Sequence, residues 1–233
     1  MKRARSITAA MIIGAAVASL AGGMPASAAG RPSSLPAAHA IRVVAAAGNT
    51  HGALLPSGAR PAAPPAAGTG AAGRISRDIA AVVGCYNNQS IKSNANGRWV
   101  SAELGYSGGS YAMLRARATA IGPWEKYDLC YDYTGSFWFI VSDANAKDVS
   151  AELGYSGGNY AMLRARASAV GPGEKYSLYC TTAGALLIKS NANGLWVSAE
   201  LGYAGSDYAM LRARASAVGP WEQYRTLSGQ GGC

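Results

Sequence analysis

Histidine is almost missing from this chain. Its two copies, His39 and His51, both lie in the first quarter of the 233 residues. Beyond residue 51, Ser-His-Asp and Cys-His catalysis therefore have no base. No second metal ligand stands at ligand spacing from either histidine, so both read as solvated linker residues. C-x-x-C pairs are missing as well, so the cysteines do not read as a metal site, and neither metal nor cofactor is expected. After the N-terminal segment, no apolar run approaches the roughly 20 residues that a membrane-spanning helix needs. Carboxylates do remain, and a glycosidase requires only two of them about 5–10 Å apart. However, Glu103, Glu152 and Glu200 recur as a set, as do Glu125, Glu174 and Glu222. Groups copied three times read as structure or as repeated binding, because a reaction centre is single and asymmetric. An enzyme is not expected.

The N-terminus reads as an address. Lys2, Arg3 and Arg5 form a positive region, Ile7 to Ala21 is apolar, and Ala26-Ser27-Ala28 is a small-residue cleavage site. Residues 1–28 are thus expected to be a secretory signal peptide, and the protein to be extracellular. Residues 29–73 are dominated by Ala, Pro, Gly and Ser, with scattered Arg. That composition buries too little apolar surface to offset ordering entropy, so a disordered propeptide or linker is expected. The folded domain is placed at 74–233, with repeats at about 85–130, 131–180 and 181–233. A net charge of +9 permits anionic partners. The charge is periodic rather than gathered into one patch, which disfavours nucleic acid.

What fills the domain is repetition. Val100-Ser-Ala-Glu-Leu-Gly-Tyr106 returns at Val149 and again at Val197, with a period of 48–49 residues marked by Ser101, Ser150 and Ser198. Val100–Leu104 alternates, as does Leu114–Ala118, with a Ser-Gly-Gly-Ser turn between them. The alternation puts Val100, Ala102 and Leu104 on one face with Leu114, Ala116 and Ala118. It sets Glu103 opposite Arg115 and Ser101 opposite Arg117 on the outer face, around a loop of three residues with a left-handed Gly. Gly122-Pro123 then breaks the chain before a last strand at Tyr127. Four strands per unit give twelve in all, and a three-bladed propeller falls below the usual range. The expected fold is all-β, a β-trefoil in which a closed barrel removes exposed strand edges. A monomer is expected, without membrane insertion.

The pattern Ile-x-Ser-x-x-Asn-Gly-x-Trp-Val-Ser-Ala-Glu, then Leu-x-Ala, then Gly-Pro-Trp-Glu-x-Tyr, is complete in Ile91–Tyr127 and Ile188–Tyr224. It resembles the fascin-like β-trefoil repeat of the actin-crosslinking-like superfamily, in its secreted bacterial type. The resemblance covers the whole folded region. It implies one of two roles: binding to an actin-like protein filament, or carbohydrate binding of the kind that accompanies polysaccharide-degrading enzymes.

Repeat two departs from its siblings: Ala146, Asp148 and Gly173 stand where repeat one has Gly97, Trp99 and Trp124. Phe137 or Trp138 is expected to fill the space of the lost indoles. The four cysteines lie at repeat boundaries and should form two disulfides. Because a trefoil brings its termini together, Cys85–Cys233 with Cys130–Cys180 is the preferred pairing; Cys85–Cys130 with Cys180–Cys233 is the alternative.

Three sets of residues are candidates for binding. Trp99 and Trp196 should point outward and offer flat apolar faces to a sugar ring. Asn94, Asn96, Asn191 and Asn193 could exchange hydrogen bonds with hydroxyls, or simply form the turn. The pairs Arg115/Arg117, Arg164/Arg166 and Arg212/Arg214 should place six guanidinium groups outside. There they could bind anionic groups bidentately, or the first of each pair could meet Glu103, Glu152 or Glu200. Trp124 and Trp221 are assigned to the core. Two or three weak sites on one rigid body would bind a polymer by avidity, with repeat two a weak or dead site.

Overall fold

The structure, a computed structural model, describes residues 55–66, 83–227 and 233. The expected signal peptide, both histidines and the rest of the expected linker lie outside these residues.

A short strand β1 (Arg60–Pro61) precedes the repeats. Repeat one contains β2 (Val83–Gln89), β3 (Ile91–Ser93), β4 (Trp99–Glu103), β5 (Met113–Ala118) and β6 (Tyr127–Asp132). Repeat two contains β7 (Phe137–Ser142), β8 (Lys147–Glu152), β9 (Met162–Ala167) and β10 (Tyr176–Cys180). Repeat three contains β11 (Leu186–Ser190), β12 (Trp196–Glu200), β13 (Met210–Ala215) and β14 (Tyr224–Thr226). All pairings are antiparallel, and Tyr224↔Ser93 and Thr226↔Ile91 join the last strand to the first. The fold is the expected β-trefoil. Hairpins β4–β5, β8–β9 and β12–β13 cap the barrel, meeting through Met113↔Arg164, Arg212↔Met162 and Met210↔Arg115. Among the described residues, no helix is long and apolar enough to cross a membrane.

The core follows the repeat. Ile91, Ile140 and Ile188, Val100, Val149 and Val197, and Leu114, Leu163 and Leu211 are all buried in one cluster. Tyr127, Tyr176 and Tyr224 are wholly buried with them. Their hydroxyls donate to the carbonyls of Val100, Val149 and Val197 at 3.4, 3.1 and 3.3 Å. Burial foremost, then nearby Glu125, Glu174 and Glu222 respectively, holds these phenols well above the ordinary tyrosine pKa.

Three expectations are corrected here. The shared faces hold, with Val100↔Ala116 and Ala102↔Leu114, but Ser101 pairs with Arg115 and Glu103 with Met113, a shift of two residues. The reason is the loop. It runs from residue 104 to 112 and contains the 3-10 turn Gly108–Ser110, with Gly108 at φ 57°. The Glu103 carbonyl accepts the Ala112 N–H at 3.0 Å to close it.

The disulfides are Cys85–Cys130 and Cys180–Cys233, overturning the preferred pairing. Although the barrel does bring the first and last strands together, β2 pairs with β6. That places Cys85 directly opposite Cys130, with Cα atoms 4.0 Å apart.

The third correction concerns the expected linker: its residues 60–62 pair with β10, so the folded part begins before residue 74. As for repeat two, Trp138 is buried, but against Tyr86 and Tyr131 rather than beside Gly173. At Gly173 the turn itself closes on the strand: a Cβ there would sit 3.0 Å from Ser150 Oγ.

Candidate functional site

The outer faces of the hairpins are not what alternation implies, because neighbouring elements cover them. Arg115, Arg164 and Arg212 are buried, at 4–5 % exposure. Each reaches into the hairpin loop of another repeat. Arg115 donates to the carbonyls of Tyr208 (2.9 Å) and Gly205 (3.0 Å), and Arg164 to those of Tyr111 (2.8 Å) and Gly108 (3.0 Å). Arg212 does the same to Tyr160 (2.8 Å) and Gly157 (3.1 Å). Each also donates to a tyrosine hydroxyl of its own repeat, on Tyr106, Tyr155 or Tyr203. Met113, Met162 and Met210 fill the space between the repeats, with these tyrosines packed around them. These three arginines are a structural clasp, and the expectation that they face solvent is wrong.

The second arginine of each pair takes the carboxylate. Arg117, Arg166 and Arg214 form two-pronged ion pairs with Glu103, Glu152 and Glu200. The carboxylates are buried while the guanidinium groups are about half exposed. The hydrogen bond to the carboxylate is the largest cause holding each of these arginines above its ordinary pKa. Glu125, Glu174 and Glu222 turn back to accept the N–H of Gly122, Gly171 and Gly219 at 2.6–2.7 Å. All six repeated glutamates thus hold structural partners. Among the described residues, no group of His, Cys, Asp and Glu is arranged to hold a metal ion.

The asparagines divide in two. Asn96 and Asn193 are turn clamps: their amides donate to the carbonyls of Ala116 and Ala213 at 2.8 Å and accept the N–H of Arg98 and Leu195. Asn145 does the same in repeat two. Asn94 and Asn191 are exposed, with Asn191 accepting from the Ser177 hydroxyl at 2.8 Å.

The tryptophans exchange roles. Trp196 is fully buried, with Tyr179 edge-on at 5.5 Å and the Lys189 ammonium 5.3 Å from its ring. Trp99 is half-buried under the Lys92 ammonium at 4.9 Å. The exposed indoles are Trp124 (38 %) and Trp221 (36 %), contrary to the core position expected of them. Each lies over a glycine of the Leu-Gly-Tyr turn; a Cβ at Gly105 or Gly202 would sit 3.5 Å from the indole edge. Repeat two has Gly173 instead, and its Gly154 has nothing within 4 Å. A sequence signal for this existed. Gly122-Pro123 sets Trp124 in a turn rather than a strand, and connecting segments run over the surface.

The same turn in repeat one borders a cleft of about 330 Å³ lined by Ile121, Gly122, Pro123, Lys126, Asp143 and Ala144. It lies where repeat one meets repeat two, pinned by the Asp143 N–H donating to the Lys126 carbonyl at 3.0 Å. The other junctions have the same pin, from Asn191 to Lys175 and from Asn94 to Gln223. The side chains at the three junctions differ in charge, so the three-fold backbone presents three unlike surfaces.

No protein-family model matches the chain, and no curated protein sequence does. Solved structures do resemble it. ThreeFoil, a designed three-fold symmetric protein, matches at TM-score 0.50 and 16 % identity over 59 % of this chain and 96 % of that one. A mosquitocidal holotoxin matches at 0.51 and 11 % identity over 60 % of this chain. The exo-β-1,3-galactanase 1,3Gal43A of Clostridium thermocellum matches at 0.51 and 13 % identity, also over 60 %. The matched region spans only 17 % of the holotoxin chain and 30 % of the galactanase chain. At these identities the likeness is one of fold.

Proposed function

We propose that this chain is an exported, non-catalytic binding module for a polysaccharide, gripped through Trp124 and Trp221. The observation that carries the reading is the pair of half-exposed indoles, each seated on a glycine at equivalent places in repeats one and three. Such a face stacks on the apolar side of a sugar ring while its N–H remains available as a donor. The cleft at Pro123, the residue before Trp124, is lined by Lys126 and Asp143, polar groups of the kind that meet hydroxyls. Two sites on one rigid body bind a polymer by avidity. The galactanase match is consistent with a module of this fold occurring within a larger carbohydrate-active chain. The two disulfides suit an oxidising, extracellular setting.

A second reading, filament binding of the fascin-like type, draws on the half-exposed guanidinium groups of Arg117, Arg166 and Arg214, which recur in all three repeats. One experiment separates the two. The protein is sedimented with a panel of insoluble polysaccharides and, separately, with F-actin. Retention on a glycan, weakened about 10- to 100-fold in Trp124→Ala/Trp221→Ala but not in Trp99→Ala, is the expected result. Cosedimentation with actin alone favours the filament reading, and binding to neither refutes both.

A further inference from the structure

Residues 55–66 belong to none of the repeats, yet they are built into the fold. Arg60 and Pro61 pair with Cys180 and Tyr179 on β10. The Ala62 N–H donates to the Leu178 carbonyl at 2.9 Å, and Ala62 is buried in the main core. Further on, the Tyr86 hydroxyl donates to the Ala63 carbonyl at 3.3 Å. Pro65 is buried, and a Cβ on Gly84 would lie 2.6 Å from the Ala66 carbonyl oxygen and 3.2 Å from Pro65 Cγ. The segment therefore runs from the edge of β10 to the face of β2 that carries Gly84 and Tyr86.

The barrel explains why a strand belongs there. In repeat one, β2 covers β6 from Leu129 to Asp132. In repeat two, β7 meets β10 only at Trp138↔Tyr176. Among the described residues, no strand of the repeats takes the place of β2 beside Leu178 and Tyr179, and residues 60–62 cover that edge instead. Beside it stands an aromatic wall, Tyr86 stacked on Trp138 with ring centres 6.3 Å apart and planes at 15°. A sheet edge reads the backbone of an extended peptide, and an aromatic wall suits proline. The glycine at position 84 leaves room for chain but not for bulk.

We propose that the β10 edge and the Gly84–Tyr86 face form a peptide-acceptor groove, filled in cis by residues 55–66 and able to take the same segment from a second copy of this chain. Covalent connection favours the cis occupant, because an intramolecular segment competes at an effective concentration that a free segment must match. Exchange is therefore expected once the tether is cut.

The test uses the full chain with a specific protease site inserted between residues 67 and 82. After cutting, a fluorescent peptide of residues 55–66 is added and bound label is followed by gel filtration. Uptake approaching one peptide per chain, displaced by unlabelled peptide, is expected. An Ala62→Asp peptide should bind at least tenfold more weakly, and the same loss should follow Gly84→Val in the protein. The peptide variant keeps the test decisive if Gly84→Val does not fold. Failure of the labelled peptide to enter, whether or not the cut segment stays, overturns the proposal. So does equal uptake of the Ala62→Asp peptide. Trp124→Ala/Trp221→Ala should leave uptake unchanged, which keeps this result independent of the polysaccharide reading.

Discussion

Raising the pH above 10 should unfold this domain steeply, and three tyrosines set the slope. Tyr127, Tyr176 and Tyr224 are 0 % exposed, and their pKa values are pushed well up by burial. A phenol whose folded pKa lies above its unfolded value keeps its proton longer in the native state. Its contribution is therefore fully present below about pH 10 and is lost as the pH rises toward the folded value. Each such group costs about 1.4 kcal/mol per pH unit in that window, so three together cost about 4 kcal/mol per unit. Against a typical domain stability of about 5–15 kcal/mol, a slope of that size is large enough to bring on unfolding above pH 10. The assay follows tyrosinate absorbance and far-ultraviolet circular dichroism together, with urea titrations at each pH. In Tyr127→Phe the pH slope should fall to about 2.7 kcal/mol per unit, although loss of its hydroxyl bond to Val100 costs about 1 kcal/mol at neutral pH. A slope unchanged in that variant, or tyrosinate formed from these three while the fold persists, would refute the reasoning.

Other substitutions probe the seams. Arg164→Met should cost about 2–4 kcal/mol by urea denaturation, because two loop carbonyls and a tyrosine hydroxyl of the clasp lose their charged donor. Arg164→Lys should recover little of this, since an ammonium cannot reproduce the fork. Replacing Cys85 and Cys130 together by Ser should cost about 4 kcal/mol, the loop-entropy value for a separation of 45 residues. Arg117→Ala leaves the Glu103 carboxylate buried and unpaired. It should cost about 2–3 kcal/mol, less than a fully buried pair because Arg117 is half exposed.

Much of this was legible in the residues, and the failures share a cause. The alternation of Val100–Leu104 and Leu114–Ala118, with a 48–49-residue period, carried the trefoil and the inward faces. Arg115 was misplaced because alternation distinguishes only core from the opposite face. What covers that opposite face is a loop about 90 residues away, at Gly205 and Tyr208. The same blindness misassigned Trp196, which is wholly buried although it stands on the outer side of its strand. Trp124 differs in kind: its size suggests core, but the turn Pro123–Glu125 that carries it lies at the surface. The disulfides turned on which neighbour β2 chooses, a choice made by strand pairing that cysteine spacing does not encode.

The clasp also bears on how the molecule comes apart. Repeat one's arginine holds repeat three's loop, repeat two's holds repeat one's, and repeat three's holds repeat two's. In an open row of repeats the end units have one neighbour each and fray first. Here every unit is both holder and held, so the row has no end. Terminal and middle repeats should release their cap amides to hydrogen exchange together, as one opening event rather than a progression from either terminus.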